Sequence, residues 1–167
     1  MNANKWSIKS IAREVVIAGI FVFILTNIIS YIRSPSLSFE SLPHIESQLV
    51  DGTQYTYKEG KPLILHFWAT WCPTCKLEAA NIESVSKDYE VLTIAVSSGS
   101  DTELNAYLKE KTLTFKVLND KDGMWASKFK VEAYPTTFIY DGKGKLKFTE
   151  VGYTTTAGLL ARLKLIE

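Results

Sequence analysis

Two cysteines stand three positions apart in the run Cys72-Pro73-Thr74-Cys75, and the chain has no others. On a helix, residues i and i+3 share a face, so sulfurs at this spacing reach bonding distance. Pro73 suits the first turn of a helix, where its missing N–H has no intrahelical partner in any case. A helix opening here puts Cys72 at the unpaired N–H groups and the positive end of the helix dipole. That setting favours the thiolate and makes Cys72 the attacking sulfur. Cys75, one turn inward, is then the more buried thiol and resolves a mixed disulfide. The expected chemistry is thiol–disulfide exchange. A purely structural disulfide closing so small a loop would gain little from chain entropy. A zinc site lacks ligands, since His44 lies in a linker-like stretch and only His66 is near in sequence. Neither a cofactor nor a resident metal is expected.

The hydrophobic pattern supplies the elements that position the pair. Residues 63–69, Leu-Ile-Leu-His-Phe-Trp-Ala, read as a strand covered on both faces. Residues 73–87 follow as a helix, with Leu77, Ala80, Ile82 and Val85 on its apolar side. Upstream, residues 48–50 and 54–57 flank Asp51-Gly52 as a hairpin. Downstream, residues 91–96 read as a second buried strand, closed by the serines of 97–100. Asp101 or Thr102 would cap a helix through Lys109, and a short strand over 115–118 would end in a turn at Asn119-Asp120. A short helix over 123–130, strands over 136–140 and 145–151 around Asp141-Gly142-Lys143-Gly144, and a terminal helix over 154–166 complete the chain. Parallel crossovers followed by an antiparallel hairpin and a helix predict an α/β domain, a mixed central sheet with helices on both faces.

That domain does not account for the N-terminus. The chain has 167 residues, 46% hydrophobic and 22% charged, which excludes wholesale disorder. Its net charge of +1 conceals an asymmetry: residues 1–33 carry Lys5, Lys9, Arg13 and Arg33 against Glu14. The remaining 134 residues hold 15 basic and 17 acidic side chains, so nucleic acid is not expected as a partner. Residues 15–32 are 18 positions without a charge. As a helix they would reach roughly 27 Å, close to the ~30 Å of a bilayer's hydrocarbon core. Trp6 and Tyr31 lie near the two ends, as interfacial rings do. Ser30-Tyr31-Ile32-Arg33 makes a poor signal-peptidase site, which favours an anchor over a cleaved leader. Three basic residues before the span and one after it place residues 1–14 in the cytoplasm. A single-pass span over 15–32, a Ser/Pro-rich tether over 33–46 and an extracytoplasmic domain over 47–167 follow.

The block Phe67-Trp68-Ala69-Thr70-Trp71-Cys72-Pro73-Thr74-Cys75-Lys76, with Glu78, resembles the active-site signature of the thioredoxin superfamily. Within it the chain is most similar to the membrane-anchored TlpA/ResA-like branch, including the ScsD-type proteins of copper-tolerance systems. A second block fits the same branch: Asp122-Gly123, Ala126, Phe129, Val131 and the run from Tyr134-Pro135 to Asp141. The resemblance covers roughly residues 47–166. It implies a thioredoxin-like fold and a cis peptide at Tyr134-Pro135 beside the cysteines, with Tyr134 and Pro135 positioning a client chain. It also implies that Glu78 manages the proton of Cys75. Trp71, immediately before Cys72, reads as apolar contact surface at the site or as a packing residue. His66 stands where thioredoxin has a buried Asp. It reads as a neutral core histidine, a second proton handler or a copper ligand. Ala80 replaces a helix-kinking proline of many relatives, and Ala133 replaces the usual glycine before the Tyr-Pro pair.

The expected activity is that of a protein disulfide oxidoreductase in the bacterial inner membrane with its domain in the periplasm. It would reduce disulfides of client proteins with electrons from a transmembrane donor. An oxidase or isomerase on the same fold, or a copper(I)-binding chaperone using Cys72 and Cys75, are the alternatives.

Overall fold

The computed structural model describes residues 8–33 and 41–167, which form two units, Met1–Arg33 and Ser34–Glu167. The first contributes one helix, α1 (Ile8–Arg33), 26 residues long. No proline interrupts it. Among the described residues no helix is long and apolar enough to cross a membrane. Seven positions of the 15–32 run, Asn27 and Tyr31 among them, have side chains outside that description. Lys5, Trp6 and tether residues 34–40 also lie outside the described residues.

The second unit is organised by β3 (Leu63–Trp68), a strand buried at every position. It pairs in parallel with β4 (Glu90–Val96) and antiparallel with β6 (Thr136–Tyr140). Beyond β4 lies the parallel β5 (Lys116–Asp120), and beyond β6 the antiparallel β7 (Leu146–Val151). The sheet order is therefore β5-β4-β3-β6-β7, and a separate hairpin joins β1 (Glu46–Gln48) to β2 (Gln54–Thr56).

Alternation along β3 assigns its two faces. Ile64 and Trp68 pack with α2 (Pro73–Ser86), α3 (Asp101–Glu110) and α5 (Thr156–Lys164) through Ile82, Val85, Leu104, Leu108, Leu159 and Leu163. The crossings β3→β4 and β4→β5 run in one direction across the sheet, so two right-handed crossovers put α2 and α3 on the same side. Leu63, Leu65 and Phe67 face the other way, onto Phe129 and Val131 after α4 (Met124–Lys128) and onto Ile45 and Tyr55. The expected mixed sheet with helices on both faces is what forms.

Four local expectations are corrected. The buried side of α2 is Cys75, Glu78, Ile82 and Val85, not a stripe through Leu77 and Ala80, and Leu77 is 73% exposed. The helix is rotated to put Cys75 inward, because Cys72 and Cys75 must both meet the sheet end. Ser100, not Asp101 or Thr102, caps α3, through a reciprocal box with Glu103. Asn119-Asp120 is no turn: both residues belong to β5, and Asp120 accepts from the Trp125 and Ala126 amides (3.0 and 2.8 Å) that open α4. The last part of the tether region is packed on the domain. Ile45 is fully buried, Ser41 bridges Lys145, and the Leu42 amide donates to Gly144 O at 2.7 Å.

Candidate active site

The fully buried β3 delivers the chain to the sheet end, where Thr70 and Trp71 form a short turn before α2. The Thr70 amide donates to Ser98 Oγ (3.0 Å), and Ser98 Oγ donates to Val96 O (2.9 Å), so the end of β4 holds this turn. Trp71 Nε1 donates to Ser97 O at 3.1 Å. Neither serine carries a signature in the sequence, since their part depends on β4 lying beside β3.

Cys72 is the N-cap of α2 and Pro73 its first residue. The Cys75 amide donates to Cys72 Sγ at 3.2 Å, one of the four N–H groups a helix start leaves unpaired. The two cysteines form a disulfide with Cα atoms 5.3 Å apart. Cys72 is 5% exposed and Cys75 1%, so Cys72 is the more accessible sulfur, as expected from its place at the helix start.

The second sequence block arrives from the other side. The Tyr134-Pro135 peptide is cis, as expected, and the Tyr134 carbonyl oxygen lies 3.6 Å from Cys72 Sγ. Pro135 is buried and Tyr134 half-buried. The Tyr134 ring meets Trp71 edge to face at 5.6 Å between centroids. Trp71 itself is 57% exposed, so the pair forms an apolar rim beside the disulfide. Burial, then the nearby Asp120 carboxylate, raises the Tyr134 phenol above its usual range.

Glu78 lies one turn after Cys75 on the buried face of α2 and is 0% exposed. Its Oε1 accepts from the Thr154 amide at 3.0 Å, while the buried Oε2 finds no partner among the described residues. Burial pushes this carboxyl up to about 8; the Thr154 amide, which favours the anion, offsets part of the rise. A carboxyl tuned to this range exchanges protons at neutral pH.

His66 is buried in β3, in register with Thr93 on one side and Thr137 on the other. Its Nδ1 is 2.9 Å from Thr137 Oγ1, and burial lowers its pKa to about 3, so the ring is neutral. Among the described residues no cluster of three or more His, Cys, Asp or Glu could hold a metal ion. His44 is remote in kind, a surface residue 3.2 Å from Glu46.

Sequence reasoning missed the segment 152–156. It runs from the end of β7 into the first residue of α5, which starts at Thr156 and not at 154 as expected, and it touches both halves of the site: the Gly152 amide donates to Pro135 O (2.8 Å), and the Thr154 amide donates to Glu78. Gly152 has φ +98, a conformation that favours glycine and turns its N–H toward the proline loop. A lone glycine after a strand is the only trace of this in the sequence.

Comparison with known proteins agrees with the geometry. Residues 39–149 match the model of the AhpC/TSA family. The chain is 31% identical over 144 residues to a thioredoxin-like protein of Haemophilus influenzae, covering 84% of this chain and 85% of the relative. It is 28% identical to the thiol-disulfide oxidoreductase ResA of Oceanobacillus iheyensis, over 86% of this chain and 80% of that one. The crystal structure of StoA from Bacillus subtilis superposes with a TM-score of 0.66 at 24% identity, covering 74% of this chain and 98% of StoA, and supports the fold. With a redox-capable Cys-x-x-Cys at a helix start and these relatives, the chain belongs to the AhpC/TSA family and is a thioredoxin-like thiol-disulfide oxidoreductase.

Proposed function

We propose that this oxidoreductase reduces disulfides of client proteins outside the cytoplasm. The Cys72 thiolate attacks one sulfur of a client disulfide, forming a Cys72–client bond and releasing the other client sulfur as a thiolate. Cys75 then attacks Cys72 Sγ, releasing the second client thiolate and leaving the Cys72–Cys75 disulfide. Two electrons have passed from the protein dithiol to the client. An external dithiol, membrane-bound in this reading, restores them.

Before Cys75 attacks, its thiol must lose a proton, and Glu78 accepts it. The observation that carries this reading is the position of Glu78: fully buried one turn beyond Cys75, with its pKa pushed up to about 8. Trp71, Tyr134 and Pro135 hold the client beside Cys72, the first two through their exposed aromatic surface and the last through the loop it shapes.

The anchor belongs to the same proposal. The uncharged 15–32 run supports it, as does α1, which leaves Val15, Ile17, Phe21 and Leu25 exposed to whatever surrounds it. In this reading the N-terminus is cytoplasmic, the span lies in the bacterial inner membrane and the domain faces the periplasm. Tethering raises the effective concentration of enzyme, donor and membrane-bound clients. The resemblance to ScsD-type proteins supports a role connected with copper tolerance.

The test is the equilibrium reduction potential of the Cys72/Cys75 pair in the full-length protein, titrated in glutathione or dithiothreitol buffers. A value near about −270 mV supports the reductant, and one near about −120 mV makes the protein an oxidant instead. Copper titration of the reduced protein separates the chaperone alternative: tight one-to-one binding without exchange activity would replace the enzyme reading.

A further inference from the structure

Asn81 is the next residue of α2, after Glu78, to point at the 152–156 segment. Its Nδ2 donates to the Tyr153 hydroxyl and to Thr154 O, both at 3.0 Å. Its Oδ1 accepts from Thr156 Oγ1, also at 3.0 Å. One amide side chain thus uses both its donor and its acceptor ends on three consecutive-to-near residues of another element. Between those attachment points lies the Thr154 amide, the group that donates to Glu78 Oε1. Two residues earlier, the Gly152 amide holds Pro135 O. The segment is bonded to α2 at one end and to the client-facing proline loop at the other.

We infer that Asn81 is a positioning residue for disulfide exchange: it clamps segment 152–156 so that the Thr154 amide stays on Glu78 and Gly152 stays on Pro135. The inference rests on the reading of Glu78 as the proton acceptor for Cys75. An N–H aimed at a carboxylate favours its ionised form, so the clamp sets how readily Glu78 gives up its proton. Releasing it lets the amide drift and leaves the anion less stabilised in a buried setting.

The other groups facing Glu78 are few. On its own helix the titratable neighbour is Cys75, and His66, on the β3 face under α2, is neutral. The segment itself offers Tyr153, half exposed and bonded to Asn81. From α5 the core receives Leu159 and Leu163, while Arg162 is paired with Glu150 at 2.7 Å. Among the described residues no charged side chain shifts Glu78; burial and the Thr154 amide do.

The experiment follows the rate at which the reduced full-length protein is oxidised by oxidised glutathione, from pH 5 to 10, in four variants: wild type, Glu78→Gln, Asn81→Leu and the two combined. Asn81→Leu keeps the branched side-chain shape and removes all three bonds. The expected result is that the pH midpoint abolished by Glu78→Gln moves upward by about one unit in Asn81→Leu, as loss of a hydrogen bond to a charged group does. In the double variant, Asn81→Leu then adds no further shift. If Glu78→Gln leaves the midpoint in place, the proton role of Glu78 fails, and the inference falls with it. If Glu78→Gln removes the midpoint and Asn81→Leu leaves it unmoved, Glu78 keeps its role and the clamp alone is overturned. Should Asn81→Leu not fold, Thr156→Val and Tyr153→Phe together remove two of the three bonds. An unmoved midpoint in that pair overturns the clamp equally.

Discussion

The Tyr134 carbonyl oxygen faces Cys72 Sγ at 3.6 Å, across 62 positions of sequence. The sulfur therefore sits between opposed influences. The Cys75 amide, 3.2 Å away, and the helix start favour a thiolate, whereas the carbonyl oxygen, the negative end of its dipole, opposes one. A client docked as proposed would replace solvent at this rim with its own backbone and sulfur, so electrostatics and docking would act on one atom.

The division of labour between the sulfurs predicts distinct variants. Cys75→Ser should accumulate a covalent Cys72–client adduct, visible by non-reducing electrophoresis and lost on adding dithiothreitol. Cys72→Ser should form none and lose exchange activity. An adduct of equal yield through Cys75 in the Cys72→Ser protein would reverse the roles.

Glu78 makes stability depend on pH in the alkaline direction. Its folded value of about 8 lies above the usual 4.5, so between those limits the folded state holds a proton that the unfolded state has lost. Its contribution to stability is present in full below about pH 4.5 and is lost as pH rises through about 8, at up to about 1.4 kcal/mol per unit. Glu78→Gln removes that slope. Denaturant unfolding of the oxidised protein at pH 6 and pH 8 should show the variant gaining on wild type at the higher pH. A parallel loss in both proteins would contradict the buried, protonated carboxyl.

His66 acts at the other end of the scale. Its folded value of about 3 lies below the usual 6.5, so in that window the unfolded state binds a proton that the folded state refuses. Stability is unaffected by this group above pH 6.5 and falls as pH drops toward 3. From about pH 4.5 to 6.5 the two slopes oppose each other, and stability should be nearly flat. His66→Asn keeps a polar partner for Thr137 and leaves the Glu78 slope unopposed, so the variant, unlike wild type, should be more stable in denaturant unfolding at pH 4.5 than at pH 6.5. Equal stability of the variant at the two pH values would show that His66 does not supply the opposing slope.

If Trp71 docks clients, as proposed, its loss should distinguish protein clients from small ones. Trp71→Ala removes the edge contact with Tyr134 and the bond to Ser97 but exposes no core, since the ring is already 57% exposed. Stability should change by less than about 1 kcal/mol. kcat/KM for a protein disulfide should fall by about tenfold or more, with little change for oxidised glutathione. Equal losses on both substrates would place Trp71 in the chemistry rather than in docking.

Away from the site, the α3 cap offers a test of local reasoning. Ser100→Ala breaks the box with Glu103 and should cost about 1 kcal/mol in denaturant unfolding while leaving exchange rates unchanged.

The exchange motif, the strand before it, the helix it opens and the alternation of strands and helices are all carried by short-range patterns, and residues 63–96 were legible for that reason. What those patterns missed came from contacts that period and propensity do not encode. Leu77 and Ala80 looked apolar enough to face the core, yet the requirement to seat both cysteines at the sheet end turned α2 and buried a glutamate instead. Asp120 looked like a turn residue because Asn-Asp pairs usually are; β4 extended the strand through it and α4 used its carboxylate. Ile45 sat in a stretch whose serines and prolines suggested a tether, and only the second core explains its burial.

By itself, then, the amino-acid sequence determined the chemistry: two sulfurs one helical turn apart, a helix start that holds the first, and a hydrophobic order that makes an α/β sheet. Tertiary structure decided how that chemistry is controlled. Glu78 acquires its raised proton affinity only because the surrounding core excludes water from it, and the Thr154 amide, 76 positions away, offsets part of that rise. Tyr134 reaches Cys72, and Gly152 reaches Pro135, only because β6 lies beside β3 and β7 beside β6. A side chain's type and spacing set what it can do locally; burial and partners, which set its proton affinity and access, depend on segments that meet only when the sheet has formed.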